Sequence, residues 1–161
     1  MDKFEEFAIR LRDEGFTIVD QDFSRPWGGY FVIGEHQAQD FADKYFDGLK
    51  VDSLRISGQL SPKILIVAPG KRLSWQYHNR RAEIWQIIEG DVAIEIGDTD
   101  TEGNVSVYTP GESLMLEQGQ RHRLIGLTDW GVVAEIWQHT DGANPSDEND
   151  IIRVQDDYGR R

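Results

Sequence analysis

Two histidines, a glutamate and a glutamine stand at intervals that could bring four metal-capable side chains into one site. The segment PGKRLSWQYHNRRAEIWQIIEG reads Gly70, five residues, Gln76, one residue, His78, four residues, Glu83, six residues, Gly90. Gln76 and His78 are two apart, so on an extended strand both project to one face. A turn around Asn79 to Arg81 then returns Glu83 beside them on the next strand. Downstream, GESLMLEQGQRHRLIG places Gly111, then Gly119, then His122 just after a glycine turn. Two imidazoles, a carboxylate and an amide oxygen form a borderline-to-hard donor set. It suits one divalent ion, zinc first, with cobalt, nickel, manganese or iron also compatible, and it leaves room for a water or ligand oxygen. A lone histidine on a strand ordinarily serves as a polar or packing residue; four ligand types at these intervals argue for a site.

Composition narrows the setting of that chemistry. At 161 residues the chain is the size of one domain and long enough to bury a substantial core. The expected division is an N-terminal helix and strand extension over 1–50, a barrel core over 51–140 and a tail over 141–161 that completes the site. There are no cysteines, which excludes disulfides and thiolate metal ligands. A net charge of -12 excludes a nucleic acid or an anionic membrane as partner, because both require a basic surface. Any phosphorylated ligand must therefore be met by local arginines. The start MDKFEEFAIRLRDEG has no apolar leader, no later run approaches a membrane span, and the expected setting is cytoplasmic.

The elements that must position the four residues are short strands. Phe4, Phe7, Ala8 and Leu11 recur at helical spacing over Asp2 to Asp13, and HQAQDFADKYF suits a second helix. Phe16 to Val19 and Gly29 to Ile33 read as strands around the turn-rich SRPWGG. From Val51 the pattern is β, with strands expected at 53–57, 63–68, 73–77, 83–89, 92–96, 105–108, 113–116, 122–127 and 132–137. Strands this short and regularly spaced imply a sandwich or barrel.

The two glycine-framed segments resemble the motifs of the cupin superfamily, which implies a mostly β fold: a double-stranded β-helix, or jelly-roll barrel, with one or two N-terminal helices. In the second motif Glu117 stands where that superfamily tends to have proline, and Gly126 where it tends to have asparagine. The resemblance narrows when RPWGGY (25–30), APG (68–70), LSWQYHNRRAEIW (73–85), HRL (122–124) and ENDIIRVQDDYGR (148–160) are taken in order. Together they are similar to the type II phosphomannose isomerase C-terminal domain, a cupin module often fused behind a mannose-1-phosphate guanylyltransferase. Ile84, Trp75, Trp137 and Gly126 depart from the family's usual residues.

That resemblance implies metal-dependent interconversion of mannose 6-phosphate and fructose 6-phosphate through a cis-enediol, with Gln76, His78, Glu83 and His122 as metal ligands. It implies a small sugar phosphate as partner and a homodimer as the assembly. Arg25, Arg81, Arg123, Arg153 and Arg160 fall on matching positions and are candidates for phosphate binding, with Arg153 also a candidate for transition-state charge and Lys71 a weaker ligand-binding candidate. For the proton transfer the candidates are Glu135, Glu148, Asp150, Lys71 and metal-bound water. Trp27, Trp75, Trp85 and Trp137 could wall a sugar site but suit a β core equally, and Trp85 should face the barrel interior. His36 and His139 fall outside both motifs and are expected to be exposed or capping. Two other classes fit the same ligands: an Fe(II) dioxygenase-like cupin and a non-catalytic sugar-binding cupin.

Overall fold

The computed structural model describes residues 2–54, 59–101 and 103–160. Among the described residues eleven strands form: β1 (Ile18–Arg25), β2 (Gly28–Ile33), β3 (Lys63–Val67), β4 (Trp75–Tyr77), β5 (Arg81–Glu89), β6 (Val92–Gly97), β7 (Asn104–Tyr108), β8 (Ser113–Leu116), β9 (Arg121–Gly126), β10 (Gly131–His139) and β11 (Ile152–Gln155). They assemble into a six-stranded sheet ordered β1-β2-β3-β10-β5-β8 and a five-stranded sheet ordered β11-β4-β9-β6-β7. The named pairings are all antiparallel. This is the expected mostly β jelly-roll architecture. No helix among the described residues is long and apolar enough to cross a membrane.

Helix α1 (Lys3–Asp13) starts where the Asp2 side chain accepts a hydrogen bond from the Glu5 amide at 2.8 Å. Helix α2 spans Ala38–Tyr45. Both helices cover the outer face of the six-stranded sheet, where Phe7, Leu11 and Phe41 pack with Phe31, Ile64, Ile66 and Ile136. Alternate residues of the same strands, Leu65, Val67 and Val133, face a second core inside the barrel with Trp85, Ile87, Ile94 and Leu124. That double burial explains why β3 and β10 read as nearly continuous apolar runs. A side chain of leucine or phenylalanine size adds about 1.5–3 kcal/mol when moved from water into either core.

Two expectations change. The segment expected as a strand over 53–57 opens instead with a short 3-10 helix at Val51–Ser53, and residues 55–57 lie outside the described set. The tail, read only as a motif, contains β11, which pairs with β4 at the edge of the five-stranded sheet. At four residues, none of them fully buried, IRVQ is too short and too exposed a run for hydrophobic patterning to mark it as a strand.

Register then determines what the interior sees. Across the five-stranded sheet Arg153 opposes Gln76, Gln76 opposes His122, and His122 opposes Ile96. Across the other sheet Lys63 opposes Glu135, Glu135 opposes Trp85, and Trp137 opposes Glu83. Directly opposed residues share a face, so these rows place the tail arginine beside the histidine site and bring Lys63 and Glu135 to the facing wall.

The hairpin that carries His78 and Glu83 is clamped by the segment 141–150. Asp150, almost fully buried, accepts the backbone N–H of Asn79 and of Arg80 at 2.9 Å each, and the Ser146 hydroxyl at 2.6 Å. Burial pushes its carboxyl upward, but these hydrogen bonds outweigh that and leave its pKa below the usual 3.8. Asp150 therefore braces the turn. At the far end of β9, a Cβ on Gly126 would meet the Ala68 carbonyl oxygen at 2.1 Å, so the strand approaches too closely for the asparagine usual at this position.

Gly126→Ala should lower the free energy of unfolding by about 1–3 kcal/mol in denaturant titration, the ordinary cost of overpacking. Asp150→Ala should cost about 2–3 kcal/mol near neutral pH, since it leaves two backbone donors unpaired. Because the folded-state pKa is depressed, that contribution is complete above the usual value of 3.8 and fades as the pH falls below it. Unfolding curves of both proteins across acid pH read the difference directly.

Candidate functional site

Three of the four proposed ligands meet in a buried cluster. His78, Glu83 and His122 are 3%, 2% and 1% exposed, and one ligand atom from each lies within 4.8 Å of the others. Each imidazole is oriented through its outer nitrogen. His78 Nδ1 is 2.7 Å from the Asp150 carbonyl oxygen, and His122 Nδ1 is 3.1 Å from that of Gln120. With Nδ1–H donating in both rings, each Nε2 turns a lone pair inward. The two Nε2 atoms stand 3.5 Å and 3.4 Å from Glu83 Oε1. Glu83 Oε1 and His122 Nε2 are buried with no hydrogen-bond partner. His78 Nε2 has Arg81 Nη2 at 3.5 Å, at the outer limit of a hydrogen bond, but the other two acceptors are unsatisfied unless a cation sits among them, so the donor set fits a divalent metal.

Gln76 belongs to the same wall. Its Oε1 accepts from the Ser74 hydroxyl at 2.7 Å, and its side chain lines the cavity beside His78. Trp85 does face the interior and meets the His122 ring edge-on at 5.6 Å between centroids.

The carboxylates divide by environment. Burial pushes Glu83 up, but His78 and Arg81 more than offset it and hold the carboxyl well below the usual range. Burial also lowers the pKa of His122, which favours the neutral ligand form. Glu135 goes the other way: burial and the charge of Glu83 hold it well above a normal glutamate. Glu135 thus releases its proton less readily than Glu83, and the Trp85 indole N–H lies 3.4 Å from its Oε1.

A cavity of about 460 Å³ opens over this cluster. Arg25, Arg153 and Arg160 line it together with Gln76, His78, Glu83 and Glu135. Burial, then the charges of Arg160 and Arg25, lower the pKa of Arg153, so three guanidinium groups converge on one wall. Arg160 is held there by Asp156, which accepts from its Nε at 2.8 Å and its Nη2 at 2.9 Å. In a chain of net charge -12, this local excess of cation marks a place for an anion. A larger concavity of about 620 Å³ lies along β6 and β7, but Asp98 is its one carboxylate among the described residues and no basic side chain lines it. The smaller cavity holds the chemistry.

Several candidates are placed differently from expectation. Arg81 lines the cavity but is the counter-ion of Glu83: Nε donates to Glu83 Oε2 at 3.0 Å, and Nη1 to the Ser146 hydroxyl and the Asp147 carbonyl at 2.9 Å each. Its guanidinium lies 3.8 Å from the Trp137 ring centroid. Arg123 alternates with His122 along β9 and so faces away from the cavity, where it donates to the Gln155 carbonyl at 3.3 Å and to the Gln155 side chain. Lys71 is exposed on a turn and does not line the cavity. Trp75 also faces outward, with its indole N–H on the Asp100 carbonyl at 3.0 Å. Ile84 packs under the helices, and His139, expected at the surface, is fully buried and accepts the Ser146 N–H at 2.9 Å. The departures from the family at Ile84, Trp75 and Gly126 thus lie off the cavity wall; Trp137 alone stands at its edge, beneath Arg81.

Sequence reasoning missed Lys63, which begins the apolar strand KILIV, is 6% exposed and lines the cavity. A charge that opens a doubly buried strand was the available signal.

Known proteins frame this site. A mannose-1-phosphate guanylyltransferase from Salmonella montevideo is 31% identical over 153 residues, covering 94% of this chain and 26% of that protein. The alginate biosynthesis protein AlgA of Pseudomonas aeruginosa is 32% identical over 151 residues, covering 94% of this chain and 28% of its own length. The chain thus spans about a quarter of the curated relatives it matches. Among solved structures, a cupin 2 conserved barrel domain protein from Salinispora arenicola is similar in fold, with a TM-score of 0.43 and 23% identity over 51% of this chain and 63% of that one. These names correct the expectation of an aldose–ketose isomerase. The relatives are named as guanylyltransferases, which are transferases, or as polysaccharide biosynthesis proteins, so an isomerase activity does not follow from the likeness. What does follow is kinship: the family described as mannose-6-phosphate isomerase C-terminal matches residues 13–156, and the chain belongs to it.

Proposed function

We propose that this chain is a metal-centred binding module for a small phosphorylated sugar. His78, Glu83 and His122 would hold one divalent ion, zinc in the first instance, with cobalt, nickel, manganese and iron as alternatives and Gln76 as a further oxygen donor. When bound, the ion supplies a Lewis-acid contact for a ligand oxygen. The observation that carries this reading is the buried, unpartnered pair Glu83 Oε1 and His122 Nε2, set under a wall of three arginines.

The chain's own residues perform the remaining tasks. Arg81 keeps Glu83 ionised and fixes its second oxygen, so that Oε1 stays turned toward the imidazoles. Arg25, Arg153 and Arg160 present planar N–H forks to a phosphate group. Asp156 fixes the Nε and Nη2 side of Arg160. Trp27 and Leu65 line the same cavity and would exclude water from the less polar side of a sugar ring. The relatives' names make mannose 1-phosphate a ligand to test beside mannose 6-phosphate.

Metal analysis of the purified chain should return one divalent ion per molecule, lost in Glu83→Ala and His122→Ala. Arg81→Met should keep the three ligands but weaken the ion's affinity about 10–100-fold, as the removal of an orienting partner does. In calorimetry, the metal-loaded protein should bind mannose 1-phosphate or mannose 6-phosphate and not free mannose. Arg153→Ala should weaken that binding at least about tenfold at unchanged metal content. If the metal-loaded protein binds neither sugar phosphate, the reading is wrong.

A further inference from the structure

Lys63 is a charged residue in a place that packing does not explain. It opens β3, faces inward with Leu65 and Val67, and opposes Glu135 on β10. Its side chain is 7% exposed, and its Nζ lies 5.2 Å from the Tyr30 ring centroid and 5.1 Å from that of Trp137. A lysine so enclosed requires a counter-charge, because burying an unpaired ammonium is expensive. The counter-charge is Glu148, whose Oε1 accepts from Nζ at 2.7 Å.

The two partners are unequally held. Glu148 is 65% exposed, on the segment that leads into β11, whereas Lys63 is enclosed by aromatic rings on a central strand. A pair with one solvent-facing partner is weak and opens readily. Lys63 cannot follow Glu148 outward, but any anion entering the cavity could take the carboxylate's place. Both residues line the same cavity as Arg25, Arg153 and Arg160. Lys63 comes from one sheet and Arg153 from the other, so an anionic ligand touching both would be gripped across the barrel.

Resting on the reading that a phosphorylated sugar occupies this cavity, we propose that Lys63 is a ligand-contacting residue whose ammonium exchanges Glu148 for an anionic oxygen of the ligand. Glu148 is then an internal competitor, displaced when the ligand enters. Its release couples ligand binding to the tail segment that also carries Arg153 and Arg160.

Calorimetry on the metal-loaded wild type and four metal-loaded variants tests this, using whichever of mannose 1-phosphate and mannose 6-phosphate binds the wild type more tightly. Lys63→Met keeps an unbranched chain of similar length between the two rings and should weaken binding about tenfold to a hundredfold at unchanged metal content. Glu148→Gln removes the competitor and should tighten binding about two- to fivefold. In the double variant that gain should vanish, because without Lys63 there is nothing for Glu148 to block. Lys63→Arg, which restores the charge, should recover part of the affinity and shows that the Met variant's loss is not a folding defect. Tight wild-type binding with an unchanged Lys63→Met overturns this inference alone, as does a Glu148→Gln gain that persists without Lys63. Absence of wild-type binding overturns the underlying reading and this inference with it.

Discussion

A carboxylate buried to 2% exposure and kept ionised is the constraint around which the interior is arranged. Arg81 grips one oxygen of Glu83 and supplies its counter-charge, while the two imidazole Nε2 atoms flank the other oxygen. Each of those partners needs support of its own. Arg81 is held by Ser146, the Asp147 carbonyl and the Trp137 face; His78 is held by the Asp150 carbonyl, and the turn beneath it by the Asp150 carboxylate. The segment 141–150 therefore acts as the outer half of the site, although it contributes no ligand.

The jelly roll supplies what a buried charge needs, namely rigid strands whose register fixes which side chains meet. One rung carries Arg153, Gln76 and His122, and the facing sheet carries Lys63, Glu135 and Glu83 on adjacent rows. Cations from both sheets thus line a single cavity in a protein whose surface is strongly acidic. Long-range repulsion from that surface would discourage anions in general, so an anionic ligand here depends on short-range contacts inside the cavity, where local guanidinium groups dominate.

The parts of this arrangement that obey simple periodicity were legible in the residues. The two-residue spacing of Gln76 and His78, the glycine turn before His122 and the inward alternation of Glu83 and Trp85 follow from strand geometry, and both helices follow from apolar spacing. What escaped were features decided by tertiary pairing. The short β11 becomes a strand by pairing with the free edge that β4 offers. Lys63 and His139 were hidden for the opposite reason: each is a polar residue buried by partners from distant segments, Glu148 for one and Ser146 with Gln59 for the other. Activity was the least legible of all. Shared motifs led to the family correctly, but the relatives' names show that a family description does not specify the reaction.

The central claim is that the unpartnered Glu83 Oε1 and His122 Nε2, with His78 Nε2 beside them, exist to hold a cation. X-ray diffraction from zinc-loaded crystals, with data collected on both sides of the zinc absorption edge, tests it most directly. The account predicts one strong anomalous peak within bonding distance of both Nε2 atoms and Glu83 Oε1. A peak elsewhere, or none here with the three side chains equally ordered, would contradict it.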